Sequence, residues 1–345
     1  MNILVTGGIG YIGGHCSITL MEKGYDVLVA DNFGTGREEI GNALKNVKAP
    51  GKLLGIVKVD LEDQDGLRDV FNFNEVDAVV HLAALSQVEE SVKYPDKYYR
   101  NNIDGTSNLL DAMLNANVKK IVFSSTAAVY GEPDYIPIDE EHPKRPINPY
   151  GISKMKIENV MDELSDSRGL RSVRLRYFNV AGADSECRVG EWHDPETHLI
   201  PNILKSTFTS AEPFKLFGND YDTRDGTCVR DYVNVEDLAD AHILALEYLC
   251  KGGKTDYFNI GTNEGSTVLE VYKECESVTK KKIPLTVEPR RAGDPAVLTA
   301  DNSKAKKVLG WEPRRSLRHS IETAYEWEKK MRSIGKIAEK VEKGF

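Results

Sequence analysis

The stretch VTGGIGYIGGH (residues 5–15) follows a short apolar run and opens a segment with the apolar spacing of a helix. Glycines at this place let the backbone turn tightly and approach a diphosphate, while the helix N-terminus offers free N–H groups and the positive end of its dipole. A glycine pattern alone also fits a turn that binds nothing, but the preceding strand and the following helix are the context that a binding loop requires. We therefore predict a dinucleotide-binding unit that contacts its cofactor through Gly7, Gly10, Tyr11, Ile12 and Gly13.

The chain around this unit alternates apolar strands with helices as far as about residue 180. The predicted strands are 1–7, 26–32, 53–61, 76–85, 119–126 and 170–180, and the predicted helices are 11–24, 64–72, 96–116 and 150–168. Strands that are apolar throughout and separated by helices form a parallel sheet with both faces covered. Right-handed crossovers make such a sheet doubly wound. The predicted fold class is therefore α/β, with a doubly wound parallel (Rossmann) sheet and a smaller C-terminal α/β domain.

The pattern changes after residue 180, where a polar, loop-like stretch begins. We predict a cofactor domain over 1–180, to which the chain returns at about 231–261. A substrate domain is predicted from 181–230 and 262–331. Residues 332–345 are predicted as a charged tail, of which we expect KIAEKVEKGF (336–345) to fray.

Composition argues against several classes of protein. The 345 residues carry a net charge of −9, which argues against binding to nucleic acid or to an anionic membrane surface. No apolar run approaches the about 18 residues of a membrane span, and we see no secretory leader. The five cysteines are widely spaced and form no C-x-x-C motif. This is typical of reduced thiols in a cytoplasmic protein, and we expect no metal site.

A carboxylate follows the glycines at the spacing of a dinucleotide site. Asp31 lies 18 residues beyond Gly13, at the end of the second predicted strand. A carboxylate there accepts hydrogen bonds from the adenosine ribose and repels a 2′-phosphate, so the pattern favours NAD over NADP. Arg37 is close enough in sequence to leave NADP as an alternative. Asp60 ends the third predicted strand and is either an adenine contact or an ordinary strand end.

The stretch INPYGISKMK (residues 147–156) sets Tyr150 one helical turn before Lys154. Tyr325 and Lys329 have the same spacing in a charged helix, so the spacing alone does not identify a site. Beside a nicotinamide cofactor, however, Lys154 can bind the nicotinamide ribose and lower the pKa of Tyr150. The tyrosine can then act as a base and an acid near neutral pH.

Hydroxyl side chains end the fifth predicted strand in SSTAAVYG (residues 124–131). Ser124 or Thr126 can bridge the tyrosine to a substrate hydroxyl, because the carboxyl ends of parallel strands face the ligand. The predicted catalytic set is therefore Tyr150, Lys154, Thr126 and Ser124.

These motifs, taken in order, resemble those of the extended short-chain dehydrogenase/reductase family and, within it, of the UDP-glucose (UDP-galactose) 4-epimerases. The resemblance extends over residues 1–331 and rests also on VVHLAA (79–84), YYRNNIDGT (98–106), RYFNVAGA (176–183), ETHLIP (196–201) and RRAGDPA (290–296). It implies reversible C4 epimerisation of a UDP-hexose. Tyr150 would take the proton of the sugar 4-hydroxyl while C4 passes hydride to tightly bound NAD+. The 4-keto intermediate would then rotate, and hydride would return to its opposite face. The resemblance also implies a homodimer.

The resemblance assigns binding residues by their positions in these motifs. Further contacts to NAD are expected from Asn32, Asp60, Leu61, Leu82, Ala83, Ala84, Asn101, Ser124, Lys154 and Tyr177. Arg230 and Arg291 match arginines that bind the substrate diphosphate, and Asp294 matches the acid that binds the uridine ribose. The remaining substrate positions are Asn179, Leu199 and, in the uracil region, Phe217.

Three positions depart from the pattern of some family members. Ser86 stands where some members have a lysine that contacts the cofactor diphosphate. His198 stands where another branch has asparagine, and it either binds the substrate diphosphate or has an unspecific polar role. Leu298 stands where a bulky tyrosine restricts the pocket beside the C2 substituent of the sugar. The smaller leucine raises the hypothesis that UDP-N-acetylhexosamines are also accepted.

Three alternatives remain beside epimerisation. A nucleotide-sugar 4,6-dehydratase of the same fold carries Asp-Glu where this chain has Ala127 and Ala128, whose methyl groups cannot transfer protons. An enzyme that acts on UDP-glucuronate, as a 4-epimerase or a decarboxylase, needs a cation for the 6-carboxylate, and the sequence assigns none. A catalytically idle NAD-sensing protein is disfavoured because Tyr150 and Lys154 are intact.

Overall fold

The computed structural model of the protein describes residues 1–208, 213–291 and 294–342. The strands are β1 (Asn2–Thr6), β2 (Asp26–Asp31), β3 (Leu53–Lys58), β4 (Ala78–His81), β5 (Lys120–Thr126), β6 (Arg171–Tyr177), β7 (Asn179–Ala181), β8 (Phe214–Phe217), β9 (Val229–Asn234), β10 (Asp256–Ile260), β11 (Gly265–Thr267), β12 (Leu285–Glu288) and β13 (Val297–Leu298). The α-helices are α1 (Tyr11–Glu22), α2 (Glu38–Lys45), α3 (Gln64–Phe73), α4 (Val88–Lys93), α5 (Pro95–Tyr98), α6 (Gly105–Asn115), α7 (Pro149–Arg168), α8 (Leu199–Ser206), α9 (Val235–Cys250), α10 (Val268–Thr279), α11 (Ser303–Leu309) and α12 (Leu317–Glu342).

Seven parallel strands form the central sheet, in the order β10-β6-β5-β4-β1-β2-β3. Along β1 the register pairs Ile3 with Val27 on one side and with Ala78 on the other. The strands are apolar because α1 and α9 pack on one face of the sheet and α3, α6 and α7 on the other. Since the strands are parallel, all their carboxyl ends lie at one edge, where doubly wound folds bind ligands. The predicted fold class is confirmed.

A smaller sheet is built around β9, which pairs in parallel with β7 and β13 and antiparallel with β11. Strands β8 and β12 form a separate parallel pair. The chain returns to the central sheet through β10, which pairs with β6 as expected. The start of the predicted returning segment, β9, belongs to the smaller sheet instead, because β7 follows directly after β6 and offers β9 a parallel edge.

Three predicted elements differ in the structure. The helix predicted at 96–116 is divided by a π-helical segment, Tyr99–Asp104, where the Asn102 side chain bonds the backbone N–H and C=O of Leu85 at 2.9 Å each. The strand predicted at 170–180 ends at Tyr177, and the chain passes into the second sheet. Helix α12 extends to Glu342 and so includes most of the predicted tail, and residues 343–345 lie outside the described residues.

A buried ion pair joins α7 to the central sheet. Arg176 on β6 makes a two-pronged contact with Glu158, with its Nε and Nη2 at 2.8 and 2.6 Å from the two carboxylate oxygens. The two side chains are 1% and 0% exposed. Ser125 donates to the same carboxylate at 2.7 Å, and the Tyr130 hydroxyl lies 2.9 Å from the guanidinium. These bonds fix the helix that carries Tyr150 and Lys154 against β5 and β6.

We predict that Glu158→Gln lowers the free energy of unfolding by about 3–5 kcal/mol, because it leaves the buried Arg176 charge without its partner. The measurement is the shift of the urea unfolding midpoint. The control is Asp65→Asn, which breaks an ion pair with Arg68 whose side chains are 89% and 57% exposed. The control change should cost less than about 1 kcal/mol, and similar effects of the two variants would contradict the prediction.

Candidate active site

A cavity of about 530 Å³ lies at the carboxyl edge of the central sheet. Its lining includes every predicted cofactor-binding residue except Asp60. Asp60 instead accepts a hydrogen bond at 2.8 Å from the side chain of Asn32, which does line the cavity. Ser86, at the position where some members have a cofactor-binding lysine, lines the same cavity.

The glycine loop brings α1 against the sheet through backbone atoms. A Cβ at Gly13 would lie 2.0 Å from the carbonyl oxygen of Gly7, and Gly7 itself has a φ of +69°. The N-cap of α1 is Gly10, so no side chain caps the helix. The first-turn N–H groups therefore face the cavity uncapped, as a bound diphosphate requires.

Asp31 closes the far end of this cavity. Its carboxylate accepts hydrogen bonds from the backbone N–H groups of Phe33 and Ile9 at 2.9 and 3.3 Å. Burial raises the pKa of Asp31, against the lowering effect of these two bonds. Arg37, which we considered as a contact for a 2′-phosphate, places its guanidinium 5.2 Å from the centre of the Trp192 ring.

The first turns of α7 position the predicted acid/base pair. Asn148 caps the helix by accepting a hydrogen bond from Gly151 N at 2.8 Å. The side chain of Thr126 is close enough to the Tyr150 hydroxyl to lower the pKa of the tyrosine. Lys154 is 3% exposed and its Nζ donates to the carbonyl oxygen of Ser124 at 2.8 Å. Ser124, Thr126, Tyr150 and Lys154 all line the first cavity.

The protein's own groups do not produce the predicted lowering of the Tyr150 pKa. Burial raises this pKa to about 12, although the neighbouring Thr126 side chain opposes the rise. Burial also lowers the pKa of Lys154 to about 7, against the effect of Glu158. The prediction counted the charge of the lysine and omitted desolvation, which disfavours the charged form of both groups.

The two hydroxyls at the end of β5 have different partners. The hydroxyl of Ser124 hydrogen-bonds the Tyr177 hydroxyl, so Thr126 is the one that reaches Tyr150. Tyr325 and Lys329, the pair with the same spacing on α12, line neither cavity. There the Lys329 ammonium lies 4.8 Å from the centre of the Tyr325 ring and pairs with a neighbouring glutamate.

A second cavity of about 570 Å³ adjoins the first, and Asn179 and His198 line both. Its lining gathers the other predicted substrate residues that lie far apart in sequence, namely Leu199, Phe217, Arg230, Arg291 and Asp294. The Arg230 guanidinium lies 3.4 Å from the Asp294 carboxylate, and that of Arg291 lies 4.0 Å from the centre of the Phe217 ring. Two arginines in one cavity suit a diphosphate.

Sequence reasoning missed Glu191, His193 and Glu196, which gather around His198. Burial lowers the pKa of both histidines, but the two carboxylates outweigh it and raise the pKa to about 9 for His193 and about 10 for His198. The signal was present as two Glu-x-His units in EWHDPETH (residues 191–198), within a stretch that we had treated as a polar loop.

Comparison with known proteins agrees with this geometry. A family model described as GDP-mannose 4,6 dehydratase matches residues 4–324. A UDP-glucose 4-epimerase of Lactobacillus helveticus is 49% identical over 330 residues, which are 95% of this chain and 97% of the relative. The chain belongs to the UDP-glucose 4-epimerase family. The family model is named for a dehydratase, but 4,6-dehydratases carry Asp-Glu where this chain has Ala127 and Ala128. These two alanines begin a short 3-10 helix.

Two solved structures of this epimerase family resemble the chain closely. The UDP-glucose 4-epimerase of Stenotrophomonas maltophila, with bound NAD and formylated UDP-arabinopyranose, has a TM-score of 0.93 and 36% identity and covers 97% of this chain and 99% of its own. The UDP-Glc/GlcNAc 4-epimerase of Campylobacter jejuni has a TM-score of 0.83 and 38% identity and covers 95% and 99%. Among the described residues, no helix is both long and apolar enough to cross a membrane.

We predict that Gly13→Ala destabilises the protein by about 3 kcal/mol or more, because the new Cβ collides with backbone rather than with a movable side chain. The measurement is the unfolding temperature by calorimetry. Gly55→Ala is the matched control, since the Cβ there would lie 3.7 Å from its nearest neighbour, a methyl of Leu28. An unchanged unfolding temperature for Gly13→Ala would contradict the prediction.

Proposed function

We propose that this protein catalyses the reversible C4 epimerisation of UDP-glucose and UDP-galactose with tightly bound NAD. The position of Tyr150 carries the proposal. It lies beside Thr126 in the lining of the first cavity, which shares Asn179 and His198 with the second cavity. A proton carrier where a cofactor cavity meets a cavity with two arginines suits a reaction at one carbon of a nucleotide sugar.

The residues of the first cavity fit NAD. The uncapped N-terminus of α1 and the glycine loop suit the diphosphate, and the Asp31 carboxylate suits the adenosine ribose. Arg37 packs on Trp192, which supports NAD rather than NADP. The Stenotrophomonas relative also binds NAD. When bound, NAD supplies reversible oxidation at C4 of the sugar.

We propose that the Tyr150 oxygen takes the proton of the sugar 4-hydroxyl and later returns it. The neighbouring Thr126 side chain lowers the pKa of Tyr150 and would orient this oxygen. Because burial raises the pKa of Tyr150 to about 12, the phenolate needs positive charge nearby. Protonated Lys154 and the bound cofactor are the sources that we propose.

Firm binding of the nucleotide and loose binding of the sugar follow from the second cavity. We propose that Arg230 and Arg291 bind the diphosphate, that Asp294 binds the uridine ribose and that Phe217 packs near the uracil. These residues, with Asn179, His198 and Leu199, line the cavity. A substrate held by its nucleotide leaves the 4-keto sugar free to rotate between oxidation and reduction.

Acceptance of UDP-N-acetylhexosamines is a further proposal, supported by Leu298. This residue is half-buried in a cluster with Phe178, which lines the first cavity. A leucine there leaves more room than a tyrosine would. The Campylobacter relative is named for both UDP-Glc and UDP-GlcNAc.

Three broader proposals concern organisation. We propose a cofactor domain of 1–180, to which the chain returns within 231–261 through α9 and β10, a substrate domain of 181–230 and 262–331, and a location in the cytoplasm. We also propose a homodimer. Three apolar side chains at and just after α4, Val88, Val92 and Tyr94, are 45%, 61% and 60% exposed and would be covered by a partner.

The test is conversion of UDP-galactose to UDP-glucose by purified protein without added NAD. We expect conversion without net consumption of NAD, because the cofactor is regenerated in each turnover. UDP-glucuronate is the matched substrate for the alternative function. Failure with both UDP-hexoses and both UDP-N-acetylhexosamines would exclude the proposal.

We predict that Tyr150→Phe lowers kcat by about 100- to 10,000-fold, because it removes the proton carrier and leaves the cavity shape almost unchanged. Bound NAD, measured in the denatured extract, should stay at the wild-type level. Tyr325→Phe is the matched control with the same tyrosine–lysine spacing, and its kcat should be unchanged. A near-normal kcat for Tyr150→Phe would remove this residue from the proposed role.

We predict that Leu298→Tyr lowers kcat/KM for UDP-N-acetylgalactosamine by about 10- to 100-fold relative to UDP-galactose, because the larger ring fills space beside the C2 substituent. Leu298→Met conserves the side-chain volume and serves as the control. Equal changes for both substrates in Leu298→Tyr would contradict the prediction.

A further inference from the structure

Four side chains of the stretch 191–198 converge on one point at the edge of the first cavity. The ligand atoms of Glu191, His193, Glu196 and His198 all lie within 4.8 Å of one another. Three of the four residues line the first cavity, and His198 lines the second cavity as well. We propose that these two carboxylates and two imidazoles form a binding site for a divalent transition-metal ion of the Zn²⁺ class.

The distances within the cluster lie on either side of the edge length of a tetrahedral site. His198 Nδ1 lies 2.7 Å from Glu191 Oε1 and 2.9 Å from Glu196 Oε1. His193 Nδ1 lies 3.2 Å from Glu191 Oε1 and 3.8 Å from Glu196 Oε2. Ligand atoms at about 2.0–2.2 Å from a tetrahedral ion lie about 3.3–3.6 Å from one another. Small side-chain movements are therefore enough to admit an ion.

The orientation of His193 points to a missing partner. Its Nδ1 atom is buried and makes no aligned hydrogen bond, although the Glu191 carboxylate is only 3.2 Å away. Buried polar atoms in native proteins nearly always have a partner. An ion between the four groups would provide one, since neutral imidazole nitrogen is a good ligand for zinc.

The charge of the cluster also favours a cation. The Glu191 and Glu196 side chains are 6% and 3% exposed, and like charges so close repel one another. Within the part of the chain that the structure describes, the cationic side chains within 4 Å of these carboxylates are His193 and His198. One divalent ion would replace two protons, which pass from His193 and His198 to solvent, and would then balance both carboxylates with both neutral imidazoles as ligands. Mixed nitrogen and oxygen ligands favour zinc over magnesium or calcium, which prefer oxygen.

Bonds outside the cluster hold the ligands in place. The backbone carbonyl of Glu191 accepts a hydrogen bond from Trp327 Nε1 at 2.9 Å. The carboxylate of Glu196 accepts from the backbone N–H of Thr197 at 2.9 Å, and its backbone carbonyl accepts from the Asn202 side chain at 3.3 Å. Such outer contacts orient metal ligands and raise affinity. The ion would therefore fasten the stretch 191–198 between α12 and α8, beside the glycine loop.

The experiment uses full-length, untagged protein that has been treated with a chelator and dialysed. ZnCl₂ is titrated by calorimetry, and bound zinc is measured by elemental analysis after gel filtration. We expect one zinc ion per chain and a higher unfolding temperature with zinc. Co²⁺ in its place should give the strong visible absorption of a tetrahedral site with nitrogen and oxygen ligands.

The variants are His193→Gln and His198→Gln, with His319→Gln as the matched control. His319 lies 3.9 Å from a glutamate but outside the cluster. Each cluster variant should weaken zinc binding by more than the about 10- to 100-fold that follows loss of an outer contact, while the control keeps wild-type affinity. Folding of each variant is checked by circular dichroism, and a misfolded variant is replaced in the comparison by the other.

Three results would overturn the proposal. The first is wild-type protein that takes up no stoichiometric zinc. The second is equal zinc binding by the wild type and a folded cluster variant. The third is thiolate-to-cobalt charge transfer, which would assign the bound metal to cysteines. None of these results depends on epimerase activity, so the metal site and the proposed function fail or hold independently.

Discussion

The backbone contact between Gly13 and Gly7 is the constraint on which the cavity depends. A side chain at Gly13 would begin 2.0 Å from the Gly7 carbonyl oxygen, and one at Gly7 would begin 2.7 Å from the backbone nitrogen of Ala83. The starts of α1 and of the loop after β4 therefore meet the end of β1 without intervening side chains. This close approach brings uncapped N–H groups to the sheet edge, and the parallel strands deliver every other group of the cavity to the same edge.

Burial, more than charge, sets the proton chemistry at this edge. Lys154 and Tyr150 are held by α7, which the Glu158–Arg176 pair fastens to β6. Desolvation disfavours the ammonium of one and the phenolate of the other, so it lowers the pKa of Lys154 to about 7 and raises that of Tyr150 to about 12. A site of this kind is sensitive to charge that arrives with a ligand. Proton transfer by Tyr150 would then be coupled to occupation of the cavity.

The parts of the fold that could be predicted are those indicated by patterns of neighbouring residues. Apolar runs of strand length and helical spacing repeat through the first half of the chain, and the strand–glycine–helix unit identifies the ligand edge. The smaller sheet was not predictable in the same way, because β9 takes partners from β7, β11 and β13, which are distant in sequence. The pKa of Tyr150 depends on how deeply the folded chain buries its side chain. The sequence spacing between Tyr150 and Lys154 does not indicate that burial. Spacing also fails to separate this pair from Tyr325 and Lys329.

The stretch 191–198 lies where two requirements meet, namely retention of the cofactor and release of the product. A cofactor that ends each turnover unchanged can be retained, whereas the product must leave. His193 lines only the first cavity, and His198 lines both. An ion held by these residues would stiffen the wall on the cofactor side, where Tyr11 of the glycine loop packs edge-on against His193 with ring centres 6.4 Å apart. The second cavity has its own lining from α8 to Asp294, so the same stiffening leaves its far side open to exchange. Retention of one ligand and release of the other can therefore be set by neighbouring parts of a single loop.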